Sequence, residues 1–129
     1  MNNNILSFKE NISKIKDAKS FYIKKISLKN FRNHKSLNLN LKNSSILIYG
    51  GNGSGKTNIL EAISLIAKGR GIRNASIHDL IKKNEKNFLI KNNLEIKNNY
   101  FNIEIFAENK SDKFKKIIKI NDDLSKESL

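Results

Sequence analysis

The sequence predicts an α/β fold with an added antiparallel β-meander, and two patterns carry this prediction. An apolar run of strand type, Ile46–Tyr49, leads into a glycine-rich loop, and the apolar residues after the loop have helical spacing. From Asn87 onward apolar and polar residues alternate, which is the period of strands with one buried face. The 129 residues leave room for one domain with a modest core.

The glycine-rich loop has the spacing of a phosphate-binding loop. Its residues are Gly50, Gly51, Asn52, Gly53, Ser54, Gly55, Lys56 and Thr57. Glycines allow backbone torsions that let successive N–H groups point at phosphate oxygens beside a helix N-terminus. The lysine is then placed to reach the β- and γ-phosphates, and the threonine hydroxyl to bind Mg²⁺. Because all six glycines lie between positions 50 and 71, the match does not follow from glycine-rich composition. The loop predicts nucleotide binding.

The net charge of +13 is uneven along the chain. Residues 1–49 hold ten basic and two acidic residues, whereas residues 81–129 hold eleven and eight. Lysine supplies most of this charge, and an AT-rich coding sequence would produce many lysines whatever the function. The informative feature is therefore the uneven distribution, because the basic amino-terminal part suggests DNA binding. The only three arginines, Arg32, Arg70 and Arg73, lie close in sequence to the loop. Arginine is a planar, bidentate donor that suits phosphate, so these three are candidate phosphate contacts.

The absence of cysteine excludes disulfides and thiolate metal sites, and the two histidines lie far apart in the sequence. No apolar run approaches the length that crosses a membrane, and the first residues lack the apolar core of a secretory signal. These features predict a cytoplasmic protein with no membrane partner.

Residues 1–20 form an extension for which two interpretations stay open. Ser7 and Glu10 have the spacing of a capping box, and apolar residues follow at helical intervals, which predicts a short amphipathic helix. A frayed polar leader is equally compatible, because a helix this short is marginal in water. Residues 21–129 are assigned to the domain itself.

Within the domain the predicted elements follow from local period and turn residues. The loop's helix is expected to bury Ile59, Ala62, Ile63 and Ile66, with Leu60 and Ala67 widening the apolar stripe, and Ser76 to cap a second, short helix. The lysine-rich stretch Lys113–Lys119 is expected to be a solvated strand face rather than a DNA contact. The predicted bounds are strands at Tyr22–Lys29, Leu37–Lys42, Phe88–Ile96, Tyr100–Phe106 and Phe114–Asn121, a helix at Asn58–Lys68, and turns at Asn30–Lys35, Asn98–Asn99 and Asn109–Asp112.

Three blocks of the sequence resemble the RecF family of bacterial recombination and repair ATPases, which belong to the SMC and ABC-type P-loop superfamily. They are Ile26-Ser-Leu-Lys-Asn-Phe-Arg-Asn-His34, Gly50-Gly-Asn-Gly-Ser-Gly-Lys-Thr-Asn-Ile-Leu-Glu-Ala-Ile63 and Lys68-Gly-Arg-Gly-Ile-Arg73. The resemblance covers residues 22 to about 81 well and the meander loosely. It implies the amino-terminal lobe of an ABC/SMC-type head.

The resemblance also implies roles for individual residues. Gly50 to Thr57 would wrap the phosphates of ATP, with Lys56 neutralising them and Thr57 holding Mg²⁺. Arg32 would lie near the phosphates. Arg70 and Arg73 resemble an arginine loop that such heads place beside the nucleotide and the DNA-facing surface. His34 lies at the end of its block, and two interpretations are equally compatible with it: a turn residue without a chemical role, or a residue with one.

Members of this family act in DNA replication, recombination, repair and the SOS response. They bind single-stranded or gapped DNA, form ATP-dependent homodimers and, with RecO and RecR, help to load RecA. The resemblance implies the same partners for a full-length protein of this kind.

The family's signature motif and the apolar strand ending in Asp-Glu are not found in these residues. We therefore expect a truncated amino-terminal lobe that contains no catalytic residue and does not hydrolyse ATP alone. Glu61, in the loop's helix, is expected at the surface or one layer away from the nucleotide. Two alternatives stay open: a P-loop phosphotransferase or kinase, and an inactive nucleotide-binding fragment.

Overall fold

The computed structural model describes residues 9–11, 13–15, 22–41, 55–65, 76–96, 99–111, 113–121 and 123–127. Residues 9–11 and 13–15 have helical backbone, as one of the two interpretations of the extension predicts, and Ile15 is buried in the core. The remaining elements are β1 (Tyr22–Phe31), β2 (His34–Asn40), α1 (Lys56–Ser64), α2 (Ile77–Leu80), β3 (Asn87–Ile96), β4 (Asn99–Lys110), β5 (Lys113–Ile120) and β6 (Asp123–Glu127).

The strands form one antiparallel sheet in the order β2-β1-β3-β4-β5-β6 within the described residues. In the hairpins β1–β2, β4–β5 and β5–β6, two residues make the turn. The first residue of each turn has a positive φ: 52° at Arg32, 53° at Ser111 and 51° at Asn121. Positive φ suits two-residue hairpin turns, because their twist then matches that of the flanking strands. Arginine is an unusual residue in this conformation.

The core lies on one face of the sheet, since alternate side chains of a strand share a face. Helix α1 covers this face with Ile59, Ala62 and Leu65, and α2 adds two further apolar side chains. The main strand residues beneath them are Ile26, Leu28, Phe88, Ile90, Leu94, Ile103, Ile105, Ile118 and Ile120.

The end of β1 is anchored by packing and by the backbone. The ring of Phe31 contacts the ring of Phe88 edge to face, with centroids 5.3 Å apart. The next residue, Arg32, donates its backbone N–H to the carbonyl of Leu80 at 2.8 Å. The turn between β1 and β2 is thereby held against both β3 and the end of α2.

Several parts of the sheet differ from the prediction. Strand β4 runs to Lys110, four residues beyond its predicted end at Phe106 and into the predicted turn at Asn109–Asp112. The turn predicted over Asn30–Lys35 is only two residues long, because Phe31 pairs directly with His34 and extends both strands into the polar stretch. Strand β6 was not predicted, since its sequence lacks the alternation of apolar residues; backbone pairing with β5 forms it at the sheet edge. The predicted strand Ile46–Tyr49 lies outside the described residues.

Helix α1 is present as predicted, but it buries a different stripe. Leu60 is 53% exposed, whereas Leu65 and Glu61 are buried. The prediction that Leu60 widens the apolar face is therefore wrong, because β1 contacts the side of the helix defined by Ile59, Ala62 and Leu65. Residues 66–68 of the predicted helix lie outside the described residues. The Ser76 cap is confirmed, since its Oγ accepts from the backbone N–H of the residue three positions on.

The lysine-rich strand β5 has two different faces. Lys113, Lys115 and Lys119 are exposed, as predicted for a solvated face. Lys116 is buried, because it shares the core-facing side of the strand with Ile118. For this one lysine the prediction of a solvated position is wrong.

Asn92 is a buried amide in the apolar face, on β3 between Ile26 of β1 and Ile103 of β4. Neither its Oδ1 nor its Nδ2 has a hydrogen-bond partner in the described part of the chain. Burial of an unpaired amide is unfavourable. We expect Asn92→Leu to raise the free energy of unfolding in urea by about 1–2 kcal/mol.

The neighbouring residue provides a matched control for this prediction. Asn93 lies on the exposed face of the same strand, so Asn93→Leu is expected to change stability by less than about 0.5 kcal/mol. A lower free energy of unfolding for Asn92→Leu than for the wild type would contradict the prediction.

Candidate functional site

The turn between β1 and β2 packs against the N-terminus of α1. Nδ2 of Asn58 donates to Oδ1 of Asn33 at 2.7 Å. The carbonyl oxygen of Gly55 lies 3.1 Å from Nε2 of His34, and because a carbonyl can only accept, this nitrogen carries the proton. One side chain of this sequence block therefore contacts the first turn of α1 and the next contacts the last glycine of the loop. His34 is the first residue of β2 and not a turn residue, and its ring has a structural contact.

Gly55 is the residue that this packing requires to be glycine. Its φ is +94°, in the left-handed region that residues with a side chain rarely adopt. A Cβ atom there would lie 2.5 Å from Nε2 of His34 and 2.8 Å from Oδ1 of Asn33. Backbone conformation and close approach thus both exclude a side chain at the start of α1.

Arg32 and Glu61 form a two-pronged ion pair between the turn and α1. Nε of Arg32 donates to Oε1 of Glu61 at 2.8 Å, and Nη2 donates to Oε2 at 2.9 Å. The Glu61 side chain is 0% exposed and that of Arg32 is 21% exposed. The surface position expected as one alternative for Glu61 is therefore wrong, because the helix turns this carboxylate inward onto the arginine.

The ion pair keeps the arginine charged. The hydrogen bond to Glu61 raises the pKa of the Arg32 guanidinium above its usual value; partial burial opposes this, and the charges of Glu61 and Asp79 reinforce it. The guanidinium therefore remains a cation at every pH at which proteins ordinarily function.

A cleft of about 910 Å³ opens beside the β1–β2 turn. Its walls are the turn, the first turn of α1 and the segment between α2 and β3. The residues that line it include Arg32, Asn33, Asn58, Asp79, Lys82 and Lys83. Most of its lining residues have polar side chains; three, Arg32, Lys82 and Lys83, are cationic and two, Asp79 and Glu85, are acidic, so a small excess of positive charge favours an anionic ligand.

Only part of the predicted site lies within the described residues. Lys56 is the first residue of α1, and Thr57 follows it and is exposed. Residues 50–54, together with Arg70 and Arg73, lie outside the described residues. The structure adds Asn33 and Asn58, which sequence reasoning did not select, because the contact between a turn and a helix 25 positions later leaves no local pattern.

Metal and membrane features are limited within the described residues. They contain no group of three or more histidine, cysteine, aspartate or glutamate side chains that could hold a metal ion. No helix among them is long and apolar enough to cross a bilayer.

Known proteins resemble this chain in sequence. Residues 25–129 match the model of a family described as AAA domain. The DNA replication and repair protein RecF of Rickettsia massiliae (strain Mtu5) is 48% identical over 79 residues, and RecF of Rickettsia felis is 47% identical over 79 residues. Each alignment covers 61% of this chain and 22% of the relative. The chain therefore spans about a fifth of the length of these curated relatives.

Two solved structures of the recombination mediator protein RecF have a similar fold. The structure described as RecF-ATPrS matches with a TM-score of 0.74 and 33% identity, covering 85% of this chain and 29% of the other. The structure described as RecF-ATP matches with a TM-score of 0.73 and 34% identity, covering 82% and 29%. These matches confirm the resemblance to RecF and the predicted α/β P-loop lobe of ABC/SMC type with its antiparallel meander.

Proposed function

Because the chain belongs to the AAA domain family, we propose that it binds ATP and Mg²⁺ as the nucleotide-binding lobe of a DNA recombination and repair protein. Residues Gly50 to Thr57 hold the nucleotide in this proposal. The observation that carries it is the close packing of Asn33 and His34 on Gly55, which holds the last glycine of this motif at the start of α1. The likeness to RecF structures described with ATP and ATPrS supports it independently.

The N-terminus of α1 has the properties that a phosphate site needs. Its N-cap is Gly55, and no side chain caps the first turn within the described residues. The N–H groups of that turn and the positive end of the helix dipole therefore favour an anion. Lys56 begins this turn and adds a positive charge next to the phosphates.

Thr57 fits the requirements of a magnesium ligand. It is exposed on the first turn of α1, where its hydroxyl would hold the ion beside the β- and γ-phosphates. Mg²⁺ keeps most of its ligands as water and phosphate oxygens, so the lack of a carboxylate cluster in the described residues does not conflict with this role. The ion would neutralise charge on the phosphates.

The three arginines extend the proposed anion site. Arg32 lies near the phosphates in this proposal, supported by its position in the turn that contacts α1. Arg70 and Arg73 contact either the nucleotide or DNA, which rests on the resemblance and on the bidentate chemistry of arginine.

DNA is the proposed macromolecular ligand. The basic amino-terminal part, with ten basic and two acidic residues in positions 1–49, and the likeness to DNA replication and repair proteins support it. In this proposal the complete protein acts in the cytoplasm on single-stranded or gapped DNA, dimerises when it binds ATP, and works with RecO and RecR to load RecA.

Lys56→Ala is the test of nucleotide binding. Loss of a charge-assisted contact of about 1.5–3 kcal/mol should weaken binding of a fluorescent ATP analogue by about 10- to 100-fold. Lys91→Ala is the matched control, because Lys91 lies on the exposed face of β3 and only approaches Glu104 at 3.8 Å. Equal affinity of the wild type and Lys56→Ala would contradict the proposal.

The same two variants test whether ATP controls DNA binding. We expect ATP to increase the affinity of the intact protein for gapped DNA in the wild type and in Lys91→Ala, and to have no effect in Lys56→Ala. DNA affinity that is independent of both ATP and the substitution would exclude an ATP-controlled switch.

A further inference from the structure

Glu61 is a buried carboxylate whose contacts give it a role at the candidate site. The 0% exposure of its side chain isolates it from solvent, so its charge needs a partner. Arg32 supplies that partner through two hydrogen bonds of 2.8 and 2.9 Å. A bidentate pair of this kind fixes the plane of the guanidinium as well as its position.

The pair leaves part of the arginine available to a ligand. A guanidinium has five N–H donors, and the fork to Glu61 uses one on Nε and one on Nη2. Arg32 lines the cleft and its side chain is 21% exposed, whereas Glu61 is fully buried. The bound edge lies against the buried carboxylate, and the three donors that the fork does not use are the ones left for a ligand in the cleft.

The backbone at Arg32 indicates that this side chain is needed in its position. Its φ of 52° is the left-handed conformation, which glycine, asparagine and aspartate adopt most readily. An arginine at this position of the turn is therefore less favourable in conformational energy than glycine, asparagine or aspartate would be. Its N–H bond to the carbonyl of Leu80 and its pairing with Glu61 hold it there.

The guanidinium lies next to the proposed phosphate site. Asn33, the residue after Arg32, is hydrogen-bonded to Asn58, and both line the same cleft as Arg32. Asn58 is in the first turn of α1, and Glu61 is one turn further along. The donors of Arg32 and the first-turn N–H groups of α1 can therefore meet one extended anion.

From this geometry we propose that Glu61 is a positioning residue. It holds Arg32 so that the free edge of the guanidinium binds the phosphate chain of the nucleotide at the N-terminus of α1. The inference rests on the proposed function, because it needs a nucleotide at this site. It adds that a residue with no contact to the nucleotide controls affinity for its phosphates.

The test measures binding of a fluorescent ATP analogue and its competition by inorganic tripolyphosphate on the intact chain. Glu61→Gln keeps the side-chain volume but turns one acceptor into a donor that faces the arginine. We expect Glu61→Gln to weaken the binding of both probes by about tenfold, and Arg32→Met to cause a similar loss of affinity. Glu61→Gln combined with Arg32→Met should bind both probes no more weakly than Arg32→Met alone, because in this inference the effect of Glu61 on the phosphates passes through Arg32.

A second double variant separates positioning from folding. Arg32→Met with Glu61→Leu removes both charges, so no buried charge is left unpaired and the thermal transition should return close to that of the wild type. We expect this variant to bind both probes as weakly as Arg32→Met. Recovery of wild-type affinity together with the thermal transition would show that the pair only stabilises the fold, and would overturn the inference.

Two further outcomes decide between the inference and the function it rests on. If Glu61→Gln loses affinity for the ATP analogue but not for tripolyphosphate, Arg32 contacts the nucleoside and not the phosphates. This result would overturn the inference but leave the proposed function intact. Lys56→Ala is measured in parallel. If the wild type and Lys56→Ala bind the analogue equally, or neither binds, the proposed function fails and the inference fails with it.

Discussion

Replacing Gly55 with alanine is expected to lower the free energy of unfolding by on the order of 3 kcal/mol, combining left-handed strain and overpacking. The left-handed φ of +94° is unfavourable for any residue with a Cβ atom. The new methyl group would also displace the ring of His34, whose Nε2 lies 2.5 Å from the position a Cβ atom would take and contacts the Gly55 carbonyl. Urea unfolding measures the loss, and ATP-analogue binding should fall with it, since the start of α1 is displaced.

The contribution of close approach can be separated from that of backbone strain. His34→Ala removes the nearest ring but leaves φ at position 55 unchanged. The loss in free energy of unfolding caused by Gly55→Ala should therefore be smaller in a His34→Ala background than in the wild type, but it should remain above zero. Identical costs in the two backgrounds would show that His34 does not restrict this position.

Replacing Arg32 with alanine is expected to have the largest effect on stability, about 3–5 kcal/mol. A positive φ is unfavourable for alanine as it is for arginine. The difference in stability between the wild type and Arg32→Ala therefore reports mainly the loss of the ion pair. It removes the two hydrogen bonds and the positive charge that Arg32 gives to the fully buried Glu61 carboxylate. Lys24→Ala is the control, because it removes a longer pair with Glu95, at 3.8 Å and partly exposed, and should cost less than about 1 kcal/mol.

Local chemistry accounts for the elements that the sequence predicted correctly. Alternating apolar residues specify strands β3 to β5, because such a pattern buries one face only when the chain is extended. Ser76 specifies the start of α2 through its side-chain oxygen. Each of these signals acts within a few residues of its cause.

Nonlocal contacts account for the expectations that were wrong or incomplete. Leu60 looks apolar in sequence and is exposed, because the side of α1 that is buried depends on where β1 lies. Strand β6 has no apolar alternation, and its backbone pairs with β5. Glu61 is a charged residue in a helix, for which a surface position is the usual expectation, but its side chain is buried against Arg32.

The sequence by itself predicted the kind of site and indicated the family. Gly50 to Thr57 before a helix predict phosphate binding, and the block from Ile26 to His34 helps to indicate the RecF family. Only the tertiary structure decided how the two are connected. It placed Asn33 and His34 against Gly55, explaining why that position is glycine, and it paired Arg32 with Glu61. The physical reason is that these contacts join residues 21 to 29 positions apart. Sheet pairing and core packing alone bring such residues together.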